Sequence, residues 1–277
     1  MIKTIIFLLF ILLIIALIFG IEPFTKLKRR WIARKPFPSE WTVILERSLP
    51  LYQYLPVSLR KRLHGHMHVF LAEKMFKGCG GLLLTDEIKV TIAAIAALLL
   101  LNERGSYFSK LRLILVYPSA FIANQATSLG NYYLEEQQVK AGESWRTGIV
   151  VLSWENIQYD VKHWQDGRNV VLHEFAHQLD QEAGNASGVP ILEKRSDYVT
   201  WGQVFRQEYE QLCRAVERGV ETAIDEYGAT DPAEFFAVAT ETFFEKPVQL
   251  QRSHPDLYQE LKRYYNLDPE EWVRELT

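Results

Sequence analysis

His173-Glu174-Phe175-Ala176-His177 gathers two imidazoles and a carboxylate within five residues. The stretch reads H-E-x-x-H and sits in an apolar run of helical periodicity: Val170, Val171, Leu172, Phe175, Ala176 and Leu179. On a helix, residues four apart share a face, one turn above each other. Both imidazoles can then reach one zinc ion at about 2.0–2.1 Å. Glu174 projects beside them, suited to take a proton from a water at the metal. The chemistry implied is metal-assisted hydrolysis of a peptide bond. The plainer reading is a His pair on a solvated helix face. The apolar flanks oppose it, because imidazoles at a buried surface need a partner.

Two histidines are not enough, since a catalytic zinc takes three protein ligands and keeps one position for water. The segment Thr230-Asp231-Pro232-Ala233-Glu234 through Glu241 is the place to look. Asp231 suits a helix N-cap and Pro232 the first helical turn. Glu234 and Glu241 are seven apart, so both lie on one face of an otherwise apolar helix. Carboxylates there need a partner, and a cation serves. Each also has an ordinary role. D-P-A-E matches a capping box, with Glu234 turned back on its own backbone; Glu241 suits an exposed position near a helix end. A carboxylate at the third helical position can also be oriented by the helix N-terminus and ligate a metal. Spacing alone leaves both open, with Glu234 ahead.

The elements that must position these groups follow from the rest of the 277 residues. Trp41–Leu51 and Ser58–Phe76 have helical patterns, and Lys77–Gly81 is a Gly-rich turn. Thr85 is an N-cap candidate for an almost wholly apolar run from Ile88 to Leu101. That run is too short to span a bilayer and reads as a buried core helix. Leu111–Tyr117 and Gly148–Trp154 are short aliphatic strand candidates. The metal helix is expected over 167–180, a loop over 184–190, and further helices over 197–218, 231–244 and 255–266. The expected fold is α+β, a small sheet packed on several helices.

Thr4–Ile21 is a run of eighteen uncharged, mostly Ile, Leu and Phe residues, long enough to span a hydrocarbon core. No A-x-A-like cleavage site follows, which favours an uncleaved anchor over a signal peptide. Only Lys3 precedes the run, whereas Lys26, Lys28, Arg29, Arg30, Arg34 and Lys35 follow it. The positive-inside rule then predicts a single-pass protein with the catalytic domain facing the cytoplasm. The basic cluster would also rest against anionic headgroups. The expected division is a transmembrane anchor over 1–21, a basic linker over 22–40 and a catalytic domain over 41–277.

Composition excludes other classes. The net charge of −3 and pI near 6.2 give no electrostatic case for nucleic-acid binding. Cys79 and Cys213 are too few and too far apart for a disulfide framework or a C-x-x-C zinc site. His64, His66 and His68 resemble a metal cluster only superficially. His66 points away from the face that His64 and His68 share, so a core-edge or solvated helix fits better.

His173-Glu174-Phe175-Ala176-His177-Gln178-Leu179-Asp180 resembles the H-E-x-A-H-x-L-D signature of the Mlc titration factor A (MtfA) family of zinc metallopeptidases. Three other regions resemble the same family in order. They are Gly78–Gly81 with Thr85–Ala94, Gly142–Trp145 with Val150–Trp154, and Ala186–Pro190 followed by Asp225–Phe236. The resemblance spans roughly residues 40–265. It implies a zincin-like fold of the gluzincin type, one Zn²⁺ per chain, and Glu234 as third ligand beside His173 and His177. Two departures stand out: soluble members lack the anchor, and Leu134 stands where some members carry a further His.

In this scheme Glu174 is the general base. Tyr227, seven residues before Glu234, can donate to the oxyanion; the resemblance supports this, and the alternative is a packing role. Asp180 can fix a ligand histidine through its second ring nitrogen, or simply sit at the helix end. The expected substrate is a peptide or protein. The competing reading is a regulatory binding protein that sequesters a transcriptional repressor, as the family resemblance implies. No surface in the sequence marks such a partner.

Overall fold

The computed structural model describes residues 23–102, 107–119, 148–184 and 187–273. Its chain is mostly helical around one small sheet. The apolar stretch read as a membrane anchor, the Gly142–Trp145 segment and Leu134 lie outside the described residues. Among those described, no helix is long and apolar enough to cross a membrane.

Residues 23–33 form α1, where a basic, Pro-containing linker was expected. Pro36 and Pro38 lie beyond its last turn. Over the described residues 23–33 the helix is uninterrupted. Next come α2 (Ser39–Ser48), a 3₁₀ turn (Pro50–Tyr54) and α3 (Val57–Glu73). Arg29 of α1 meets Glu73 of α3 through two bonds of 2.8 Å, and Ile32 of α1 is buried.

Among the described residues the sheet has three parallel strands in the order β1 (Met75–Gly78), β2 (Leu113–Tyr117), β3 (Ile149–Ser153). Met75 pairs with Leu113, and Leu113 with Ile149. β2 and β3 match the two expected strands. β1 falls where the sequence pattern continues the Ser58–Phe76 helix and then opens the Gly-rich turn; the helix ends at Glu73 instead, and four residues are too few to show a strand period. Between β1 and β2 lies α4 (Asp86–Leu98), which Thr85 caps by accepting from Ile88 N at 3.3 Å. A parallel pair needs such a crossover. From residue 88 onward α4 is buried almost throughout, as its composition predicts.

After β3 come α5 (Trp154–Lys162), α6 (Val170–Glu182), α7 (Asp197–Glu217) and a 3₁₀ turn (Glu226–Ala229). The chain then forms α8 (Pro232–Glu245), α9 (Pro247–Ser253), α10 (Pro255–Tyr265) and α11 (Pro269–Val273). α6 and α8 lie against each other in the middle of the core. Phe175 projects from the back of α6 between Phe70 and Phe108, with ring centroids 5.5 and 4.8 Å away. That apolar backing fixes which face of α6 remains for α8.

Candidate metal centre

Asn169 starts α6. Its side-chain oxygen accepts from Leu172 N at 3.1 Å, satisfying one of the free N–H groups at the helix start. His173 and His177 then follow one turn apart and face α8. Asp231 caps α8 by accepting from Ala233 N at 2.8 Å and Glu234 N at 3.0 Å. Glu234 does not fold back in a capping box. Its carboxylate oxygen Oε2 lies 3.0 Å from His173 Nε2 and 3.4 Å from His177 Nε2. The two Nε2 atoms are 3.1 Å apart.

Three lone-pair donors thus converge on one point. Around a tetrahedral zinc, such atoms stand about 3.3 Å apart, from bond lengths near 2 Å. Among the described residues, His173, His177 and Glu234 form the group able to hold a metal ion. The buried Oε2 of Glu234 has no well-aligned hydrogen bond. A buried carboxylate oxygen in that state needs a cation. The residues present therefore fit a metal.

Electrostatics agree. Burial pushes the His173 imidazole down, but the Glu234 and Glu241 carboxylates overcome it and raise the pKa to about 10. Burial holds His177 down at about 4. Glu234 is pushed up by burial, yet the two imidazoles bring it to about 2. The cluster stabilises positive charge between carboxylates even when that charge is only a proton.

Glu241, considered above as a third ligand, stands one shell further out. Its Oε1 lies 2.7 Å from His173 Nδ1, and its Oε2 accepts from Asn169 N. A proton on Nδ1 leaves the Nε2 lone pair for the metal. Behind Glu241, Glu245 accepts from Asn169 Nδ2 at 3.1 Å and from Gly167 N at 3.0 Å. Asn169 therefore caps α6 while also binding the Glu241 and Glu245 carboxylates of α8. The sequence reading did not find Asn169 or Glu245. The available signal was a row of carboxylates, Glu234, Glu241 and Glu245, on an apolar helix.

Asp180 does not fix a histidine. Its oxygens accept from Gly188 N at 2.7 Å and Val189 N at 2.9 Å, so it pins the loop that leads away from α6. Gly188 has φ +75°, and a Cβ there would sit 2.2 Å from Pro232 O. The loop thus presses on the first turn of α8, just before Glu234. Asp180 acts on the centre through backbone rather than through an imidazole.

Glu174 is buried on α6, and its charge acts on both His173 and Tyr227. The Tyr227 ring is half exposed, with its centroid 5.9 Å from that of His173. Asp225 positions this turn: Oδ1 accepts from Tyr227 N at 2.9 Å, and Oδ2 from Arg168 Nε at 2.7 Å. Burial raises the Tyr227 pKa, and nearby Glu234 and Glu174 add to the effect, so the phenol keeps its proton. Tyr227, His173, Arg168 and Asp225 line an open cleft of about 910 Å³. That is room for an extended peptide segment.

The other candidate histidines are structural. His64 stacks on Phe37 at 3.7 Å and meets Tyr52 OH at 2.8 Å; His66 meets Tyr107 OH at 2.8 Å; His68 packs against Trp41. Cys79 is buried beside Leu115 and Tyr117.

Residues 24–266 match the model of the glucose-regulated metallo-peptidase M90 family. A Synechocystis sp. protein (strain ATCC 27184 / PCC 6803 / Kazusa) described as uncharacterized protein slr2042 is 45% identical over 271 residues. That alignment takes in 97% of this chain and 98% of the relative. Mlc titration factor A of Yersinia pestis (strain Pestoides F) is 33% identical over 253 residues, 88% of this chain and 91% of its own length. The Mlc titration factor A of Yersinia pseudotuberculosis serotype O:1b (strain IP 31758) gives the same figures. The resemblance drawn from the H-E-x-A-H-x-L-D segment thus extends over most of the chain, which belongs to the glucose-regulated metallo-peptidase M90 family.

Proposed function

We propose that this chain is a zinc-dependent peptidase with a gluzincin-type site on a zincin-like domain. His173, His177 and Glu234 hold the zinc, one ion per chain. When bound, the metal polarises the scissile carbonyl and lowers the pKa of water. Glu174, buried next to the ligand pair, accepts the proton from the attacking water and returns it to the leaving amine. The Tyr227 hydroxyl donates a hydrogen bond to the oxygen on which negative charge develops. Arg168 and Asp225 hold Tyr227 at the wall of the cleft, where an extended peptide lies. The observation that carries this reading is the convergence of three donor atoms within 3.4 Å, with Glu241 fixing the His173 tautomer.

The test is the zinc content of the purified full-length protein beside its Glu234→Ala variant, with peptide-library cleavage by wild type and Glu174→Gln. One zinc per chain, lost in Glu234→Ala, with cleavage lost in Glu174→Gln, supports the proposal. A wild type that takes up no zinc when it is supplied would overturn it.

The kinship with Mlc titration factor A, whose name records titration of Mlc, favours a second reading. There the chain binds a repressor-type protein and cleavage is secondary. Glu174→Gln separates the two, because partner capture survives a change that abolishes hydrolysis. In either reading, residues 1–21 anchor the chain in a membrane in a single pass, with the domain on the cytoplasmic side. Protease accessibility of the domain in intact and opened vesicles tests that topology.

A further inference from the structure

Phe24, Leu27 and Trp31 are 69%, 65% and 66% exposed. Spaced three and four apart, they form one apolar stripe along α1. Away from the stripe, α1 is fastened to α3 by the Arg29–Glu73 pair, and Ile32 is buried. Gly65 lets the two helices close: a Cβ there would meet Ala33 Cβ at 3.2 Å. α1 is therefore a docked element that turns its stripe outward.

Beside it lies a cleft of about 520 Å³ lined by Lys26, Arg29, Arg30, Lys61 and Arg62, with no acidic residue among the described ones on its wall. Arg29 is engaged by Glu73 and lies 4.6 Å over the Tyr107 ring. Lys26, Arg30 and Lys61 are exposed and form no ion pair among the described residues. A helix with Phe, Leu and Trp on one side, flanked by Lys and Arg, suits the boundary between lipid headgroups and acyl chains. An acidic soluble protein would use the charges but leave the stripe unexplained. The run of eighteen uncharged, mostly apolar residues that ends at Ile21, three before Phe24, points to a bilayer.

We propose that α1 and the adjoining basic cleft dock onto an anionic phospholipid surface. Phe24, Leu27 and Trp31 enter the headgroup–acyl boundary, while Lys26, Arg30 and Lys61 meet lipid phosphates. The choice of a bilayer rests in part on the anchor read from residues 4–21, and the test separates the two.

Full-length protein is mixed with vesicles of phosphatidylcholine, with or without phosphatidylglycerol, whose acyl chains are brominated near the headgroup. The share of fluorescence quenching due to residue 31 is the difference between wild type and Trp31→Phe. The expected result is that most Trp31 emission is quenched in phosphatidylglycerol vesicles and much less in phosphatidylcholine alone. Combining Lys26→Gln, Arg30→Gln and Lys61→Gln removes that difference, each neutralised cation weakening the headgroup-dependent part by roughly fivefold. Flotation with both vesicles but no Trp31 quenching overturns the docking and leaves the anchor standing. No flotation with either overturns both. Trp31 shielded from aqueous iodide before lipid is added, at twice the monomer mass, assigns the stripe to a second copy and also overturns the proposal.

Discussion

Glu241 Oε1 lies 2.7 Å from His173 Nδ1, on the opposite side of the imidazole from the converging donor atoms. A histidine can offer one nitrogen to a metal only if the other is settled, and this carboxylate settles it. Glu241→Gln keeps the shape and an acceptor for Nδ1–H but removes the charge. Zinc affinity should fall by about 10–100-fold, as for other partners of ligand histidines. Competition with a chromophoric chelator measures it. Unchanged affinity would mean that α6 alone holds His173 in place.

Tyr227→Phe removes one hydroxyl from the wall of the cleft and leaves the ring. In the proposed reaction kcat drops by about 10²-fold or more while KM changes little, because the bond forms only as charge develops. Steady-state cleavage of a fluorogenic peptide gives both constants. A KM effect alone would assign Tyr227 to substrate binding.

Burial raises Glu245 from 4.5 to about 9. Between those values the folded protein keeps this proton while the unfolded chain releases it. Its stabilisation is therefore complete below pH 4.5 and is lost as the pH climbs to about 9. Glu245→Gln cannot ionise and lacks that slope. Its amide also cannot accept from both Gly167 N and Asn169 Nδ2. In urea unfolding of the metal-free protein, the variant should be less stable than wild type by about 1 kcal/mol near pH 5. The gap should close, then reverse, toward about pH 9. A gap that stays constant with pH would show Glu245 ionised in the folded state.

Phe175 supports the metal helix from behind, wedged between Phe70 and Phe108. Phe175→Ala should cost about 3–5 kcal/mol of stability, the range for removing a fully buried aromatic ring. Urea denaturation reads it directly. A loss below about 1 kcal/mol would mean that neighbouring side chains close the gap.

The H-E-x-x-H helix was legible because helical geometry is local: two histidines four apart must share a face wherever α6 goes. Glu234 was half legible. Its place on an apolar helix shows a need for a partner; spacing puts it only ahead of Glu241, and the family resemblance, not the helix pattern, selects it. The network behind His173 was not legible, since Asn169 and Glu245 are separated by 76 residues and meet only through packing. Asp180, open between a ligand histidine and the helix end, does neither for a similar reason. Its position seven residues after His173 says nothing of the loop that returns to claim both of its oxygens. α1 escaped because basic and proline-rich composition describes helix ends as well as linkers. The Pro232–Glu245 helix was marked within a residue or two by its Asp-Pro start.

α8 carries Glu234, Glu241 and Glu245 on its own, so in the proposed centre one ligand, the partner of His173 and the brace behind it depend on a single rigid rod. Turning that rod by one residue would swing all three carboxylates through about 100° together. In the proposed centre, loading the metal would latch α8 onto α6, and binding free energy would become cohesion between two helices. Anything that prises them apart, whether acid, a chelator or a partner wedged at Gly188, would release the ion and loosen the core in one cooperative event.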